Sequence, residues 1–195
     1  MASKYASLNS YADTGYVTST FKSGLVHRRT FCTLYRKPSL FRFAFLSPHP
    51  FPPLAHLVTK HVVGFDGKEG YSLTTRPDDV QAIKEVTTLR LAIAGATGIS
   101  SGSAHTIGRL LLPETEGVAV FDLVDPQLRE ETGIDGVEYY SIAARHPKGD
   151  DRELWIEKDT LLLRRVICSR ETARAEEVRE GIRVNEPLEQ ALFAA

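Results

Sequence analysis

Phe41, Phe43 and Phe45 alternate with Arg42 and Ala44, and no other spacing constrains the chain as strongly. Residues two apart share one face of a strand but diverge around a helix, so three aromatics at this period predict a strand with one heavily apolar face. Lys37-Pro38-Ser39 turns the chain before it, and residues 47–56, with four prolines, read as an exposed loop after it. A face this apolar has to be covered, and helices inserted near the middle of the chain, together with one at the amino terminus, are the expected cover.

Most of the remaining chain repeats the strand signal. Residues 16–21 are β-formers. Residues 26–36 place Phe31, Thr33 and Tyr35 on one face and Cys32 and Leu34 on the other. Strands are predicted at 57–65 and 71–75 around an Asp66-Gly67 hairpin. Others are predicted at 118–123, 136–144, 152–157, 161–169 and 173–184. Helical spacing is confined to three places. Tyr5, Leu8 and Tyr11 recur at intervals of three until Asp13-Thr14-Gly15 breaks the pattern. Asp78 with Gln81 has the spacing of a capping box, and Val80, Ile83, Val86 and Thr87 continue a helix that runs to about residue 96. A shorter helix spans 103–112 and stops at Pro113. Strands joined by short turns, with helices inserted once near the middle, describe a mainly β (α+β) single domain over 1–195 whose sheet is antiparallel.

Charge narrows the function classes. Lys and Arg total 24 against 25 Asp and Glu, a formal charge of -1, so no overall field favours nucleic acid. No apolar run approaches the roughly 20 residues that a spanning helix needs. The first residues lack the apolar core of a secretory signal. The compartment expected is therefore the cytoplasm, or the periplasm if a signal has been removed.

Several motifs carry competing readings. Gly98-Ile99-Ser100-Ser101-Gly102 matches the G-x-S-x-G nucleophile elbow, with Asp122 or Asp135 and His146 following in triad order. The elbow needs a strand before its serine, whereas the preceding residues are helical. A linker with Ser103 as N-cap accounts for the same residues. His49, His56 and His61 lack a neighbouring Cys or carboxylate to complete a metal site, so neither metal nor cofactor is expected. Cys32 and Cys168 are either buried thiols or a long-range disulfide. Arg28-Arg29, Arg36-Lys37 and Arg164-Arg165 read as wet strand faces, with lipid headgroups or an acidic partner as the alternative. Trp155 lies on the opposite strand face from Leu154 and Ile156, and its role stays open between core, cavity mouth and partner surface.

Tyr11-Ala12-Asp13-Thr14-Gly15, Phe41-Arg42-Phe43, the segment Gly98-Ile99-Ser100-Ser101-Gly102-Ser103-Ala104-His105-Thr106, Leu110-Leu111-Leu112-Pro113 and Leu154-Trp155-Ile156-Glu157-Lys158-Asp159-Thr160 occur in this order. Together they resemble the LolA/LolB-like superfamily, particularly its lipoprotein-sorting-like branch, over about residues 5–193. The resemblance implies a curved, unclosed antiparallel β-barrel with helices covering the concave face. It further implies a non-enzymatic carrier whose cavity takes a lipid or the acyl chain of a lipidated protein. Phe41, Phe43, Phe45, Ile83, Val86, Ile107 and Leu111 are the expected lining. Two rivals remain: an envelope protein–protein interaction module with a filled core, and a serine hydrolase using Ser100.

Overall fold

The computed structural model describes residues 1–78, 83–113, 120–134, 136–147 and 149–194. The chain opens with a short helix, α1 (Ala2–Ser7), followed by β1 (Ser10–Phe21), β2 (Val26–Arg36), β3 (Leu40–Pro48), β4 (Val58–Phe65), β5 (Gly70–Thr75) and β6 (Ile83–Thr87). Helices α2 (Leu89–Ile99) and α3 (Ser103–Leu111) come next, then β7 (Val124–Ile134), β8 (Val137–Arg145), β9 (Asp151–Glu157), β10 (Leu163–Ser169) and β11 (Ala173–Val184). Among the described residues these strands form one sheet in the order β6-β5-β4-β3-β2-β1-β11-β10-β9-β8-β7. Every neighbouring pair is antiparallel, and the edge strands β6 and β7 do not pair, so the sheet stays open. The chain leaves one edge at β6, crosses the concave face as α2 and α3, and rejoins at the other edge with β7.

Residues that point inward form continuous rows across the strands. Phe41 pairs with Tyr35, which pairs with Tyr11; Phe43 follows through Thr33 to Asp13; Phe45 follows through Phe31 to Gly15 and Arg179. The helices cover these rows with Ala92, Ile93 and Ala96 from α2 and Ala104, Ile107, Leu110 and Leu111 from α3. The convex face carries a smaller layer, in which the C-terminal Leu188 and Phe193 pack on Ala12 and Leu40. Gly15 belongs to β1 and does not end a helix. A Cβ there would fall 2.6 Å from the Phe31 ring and 2.2 Å from the Val178 carbonyl oxygen. Its missing side chain lets that ring lie across the strand.

Four boundaries differ from the sequence expectation. Tyr11 lies in β1 rather than on α1, because Leu8 already has extended backbone. The helix expected from Asp78 begins ten residues later: Asp78 is an exposed turn residue, and Ile83 to Thr87 pair with β5 as an edge strand. Apolar residues three apart share one face of a helix but point to opposite faces of a strand, and here backbone pairing to β5 overrides the helical period. Val80 and Gln81 lie outside the described residues. The strand expected at 118–123 starts only at Val124; residues 118 and 119 lie outside the described residues, and 120–123 form a turn and coil. Ser103 is the first residue of α3 rather than its cap. Gly102, at φ 99°, holds the cap position, and the Ser100 hydroxyl accepts from the Ala104 N–H.

Thr88 is the residue that caps α2, its Oγ1 accepting from the Leu91 N–H at 3.2 Å. Thr88→Ala is therefore expected to cost about 0.5–2 kcal/mol, while Asp78→Ala should leave the urea midpoint unchanged. Equal effects of the two substitutions would place the cap elsewhere.

Candidate functional site

One end of the concave face is left open between the sheet and the helices. A cavity of about 540 Å3 lies there, bounded by β1, β9, β10 and β11 below and by α2, α3 and their junction above. The sheet register orders its walls. The outer row runs Ser19, Ala175, Cys168, Arg152 across β1, β11, β10 and β9; the next row inward runs Val17, Glu177, Val166, Leu154. Ala94, Thr97, Gly98, Ser101, Gly102, His105 and Thr106 close it from the helices, and Val120 from the chain beyond them. The strands thus give an apolar inner wall interrupted by one carboxylate, and a polar rim.

Glu177 belongs to a buried ionic cluster. Arg179, 2% exposed, donates from Nε to Glu177 Oε1 at 2.7 Å and from Nη1 to Asp13 Oδ2 at 2.5 Å. Its Nη2 donates to the Ser103 carbonyl on α3 at 2.9 Å, and its guanidinium lies 4.7 Å from the Phe31 ring centroid. Asp13 also accepts from the Tyr11 hydroxyl and the Thr33 N–H, and Glu177 Oε2 accepts from the Thr106 hydroxyl on α3. Burial opposes the Arg179 charge, but the Glu177 and Asp13 carboxylates outweigh it and raise its pKa further. Burial pushes the Glu177 carboxyl up despite the guanidinium and hydroxyl beside it. Two bonds in this cluster reach from the sheet to α3, so the cluster ties the covering helix to the strands as well as satisfying its own charges.

At the rim the Cys168 thiol donates to Asp150 Oδ2 at 2.9 Å, and Arg152 Nε donates to the same oxygen at 2.9 Å. His146 Nδ1 is 3.5 Å and Arg170 Nη2 3.9 Å from Asp150 Oδ1. Burial raises the Asp150 carboxyl, but the Cys168 and Arg152 hydrogen bonds and the nearby guanidiniums overcome this and hold it down at about 2. Burial and the Asp150 carboxylate together push the Cys168 thiol up to about 11. The thiol is therefore protonated at neutral pH and is a poor nucleophile. Cys32 lies on the convex face, opposite Thr14 and Ala44, and both cysteines are free. The sheet itself separates them.

The residues expected to line a cavity fall in several places. Phe41, Phe43, Phe45, Ile107 and Leu111 are all buried together in the core beneath the helices, and none of them borders this cavity. β3 stands three strands from β11, about 14 Å along the sheet at roughly 4.8 Å per strand. Val86 pairs with Tyr71, which shares the convex face with Arg42, and it is 65% exposed. Ile83 begins β6 opposite Thr74. Ser100 follows helix α2 rather than a strand, is 1% exposed, and its hydroxyl is engaged by the Ala104 N–H. The strand–elbow–helix arrangement of a serine hydrolase is not present there; Asp135 lies outside the described residues. His61 stacks on Phe45 and His49 accepts from the Phe51 N–H. The basic pairs are largely engaged: Arg28 over Tyr16, Arg36 on the Leu188 carbonyl, Arg164 on Glu157, and Arg165 on Glu176 and over the convex-face Trp155. Among the described residues no helix is long and apolar enough to cross a membrane.

Sequence parity missed the cavity's charged floor. Ala173, Ala175, Glu177 and Arg179 alternate at period two, and adjacent inward charges of opposite sign on a strand were the available signal.

No family model matches the sequence, and no curated protein matches it. Solved structures do. An uncharacterised conserved protein from Thermus thermophilus aligns with TM-score 0.55 and 13% identity over 98% of this chain and 88% of its own. LprF from Mycobacterium bovis aligns with TM-score 0.53 and 11% identity over 96% and 90%. A LolA superfamily protein from Nitrosomonas europaea covers 100% of this chain and 94% of its own at 10% identity and TM-score 0.41. At such identities the likeness to the Thermus protein and to LprF is one of fold alone, an open antiparallel sheet with helices across one face.

Proposed function

We propose that this protein is a non-catalytic carrier that shelters an apolar or amphipathic small molecule between its sheet and helices α2 and α3. The observation that carries the reading is the cavity of about 540 Å3 bordered by Val17, Ala94, Val120, Val166 and Ala175, within the roughly 300–1,000 Å3 range of small-molecule sites. The protonated Cys168 and the engaged Ser100 supply no activated nucleophile beside it. Transfer of each buried CH2 from water contributes about 0.8 kcal/mol. A lipid or a lipidated protein of a bacterial envelope, with the periplasm as the place of action, is the cargo suggested by the resemblance to the LolA/LolB-like superfamily. The core around Phe41, Phe43, Phe45, Ile107 and Leu111 would join the binding surface only if α2 and α3 lifted from it.

The test is a fluorescence titration with the uncharged dye N-phenylnaphthylamine. Wild type is expected to take up about one dye per chain, and Ala175→Phe, which fills the cavity between β1 and β10, should abolish uptake while the protein stays folded. Folded wild type that takes up no dye, or an Ala175→Phe variant that binds as wild type does, would sink the carrier reading.

A further inference from the structure

We infer that the ligand is a single-chain amphiphile with an anionic head, held at the rim by Arg152 and Arg170 with its tail directed towards Val17, Val120 and Val166. The inference rests on the carrier reading above and narrows it to one class of ligand. Three observations carry it.

The first is size. At roughly 30 Å3 for each heavy-atom-sized unit, the share of a water in its liquid, a space of about 540 Å3 holds on the order of twenty such units. That matches one acyl chain with a small head.

The second is the gradient along the strands. The outer row runs Ser19, Ala175, Cys168 and Arg152, with Arg170 just past the end of β10, whereas the inner row borders the space with Val17, Val166 and the ion-paired Glu177. Ser19 already meets Ser101 and Cys168 meets Asp150, so a hydrocarbon without a polar end would strand the Nη groups of Arg152, at a cost that a polar head removes.

The third is the charge at each end. One rim carboxylate, Asp150, faces two guanidiniums, Arg152 and Arg170, which leaves one positive charge in surplus. Arg152 spends only its Nε on Asp150 among the described residues, so its Nη groups remain as donors beside the cavity. The Arg170 side chain is 62% exposed. Forked guanidiniums match the oxygens of a carboxylate or a phosphate. His105 and His146 also border the space, and protonation of either would add to the same sign. At the inner end Glu177 has both oxygens engaged, by Arg179 and Thr106, and its carboxylate repels an anion. The head is thereby directed to the rim and the chain inward.

Calorimetric titration with dodecanoate, dodecyl phosphate and dodecanol, each below its micellar concentration, separates the possibilities. One or both anions should bind at one per chain about tenfold more tightly than the alcohol, the gain of a charge-assisted hydrogen bond at a partly exposed rim. The tighter of the two identifies the head as carboxylate or phosphate. The gap should shrink in Arg170→Gln and in Arg152→Gln and narrow with added salt. Arg152→Gln also removes a partner of Asp150 and lowers stability, so the exposed Arg170→Gln variant carries the test by itself. Equal binding of all three ligands, or a gap that survives Arg170→Gln, overturns the anionic head while the carrier reading stands. If folded wild type binds none of the three, the carrier reading fails with it.

Discussion

Arg179→Leu is expected to lower the unfolding free energy by about 3–5 kcal/mol, the usual loss when one member of a buried ionic cluster is removed. The leucine would leave Asp13 and Glu177, 4% and 6% exposed, without their common cation. Tyr11, Thr33 and Thr106 would still donate to the two carboxylates, but they bring no compensating charge. The Ser103 carbonyl at the start of α3 would lose its bond to Nη2 as well. A urea titration measures the loss. The same titration on Arg179→Leu combined with Asp13→Asn and Glu177→Gln should recover a substantial part of it, because neutral amides remain hydrogen-bonded where carboxylates are stranded. If the single variant unfolds at the wild-type midpoint, or the triple variant is weaker still, the cluster does not hold the sheet and α3 together by charge. A domain of ordinary stability has only about 5–15 kcal/mol in total, so the single variant is also expected to populate unfolded forms at elevated temperature.

Phe43→Ala should cost about 3–5 kcal/mol, the range for truncating a buried aromatic. Phe43 is 1% exposed, stacked on Phe31 with centroids 5.5 Å apart and tilted against Phe45 at 5.9 Å. A charged residue there would cost more, since its charge would have to be desolvated among packed aromatic rings. Loss of ligand binding in such a variant would then report unfolding rather than a blocked cavity. The alanine variant, kept folded at low temperature, should bind N-phenylnaphthylamine within a small factor of wild type, because the cavity lies on β1 and β9–β11 and not on β3. If folded Phe43→Ala loses the dye while Ala175→Phe keeps it, the ligand sits under the aromatic row.

Much of the sheet was legible in the sequence because a strand's side chains alternate regardless of what covers them. The Phe41, Phe43, Phe45 row, the parity of Phe31, Thr33 and Tyr35, and the span of β11 all follow from that period. So does the need for a helical cover, since an apolar face of this size cannot stay in water. The local signal failed where tertiary pairing overrode a helical spacing. Ile83, Val86 and Thr87 have the spacing of a helix, and the hydrogen-bonding partner offered by β5 made them β6.

The position of the site belonged to tertiary structure altogether. Sequence parity picks out every inward row alike, and it made the most apolar one look like the lining. Which row is packed and which is left open depends on where α2 and α3 land across the sheet. Ile93, Ile107 and Leu111 fill the space over β3, whereas the α2–α3 junction stands clear of Val17, Cys168 and Val166. The joining of β1 to β11 likewise brings Asp13 to Arg179 across 166 residues of chain. A charge on one strand cannot announce its partner on another, because pairing of this kind is set by register between distant segments and by burial that exists only once the sheet has closed around it.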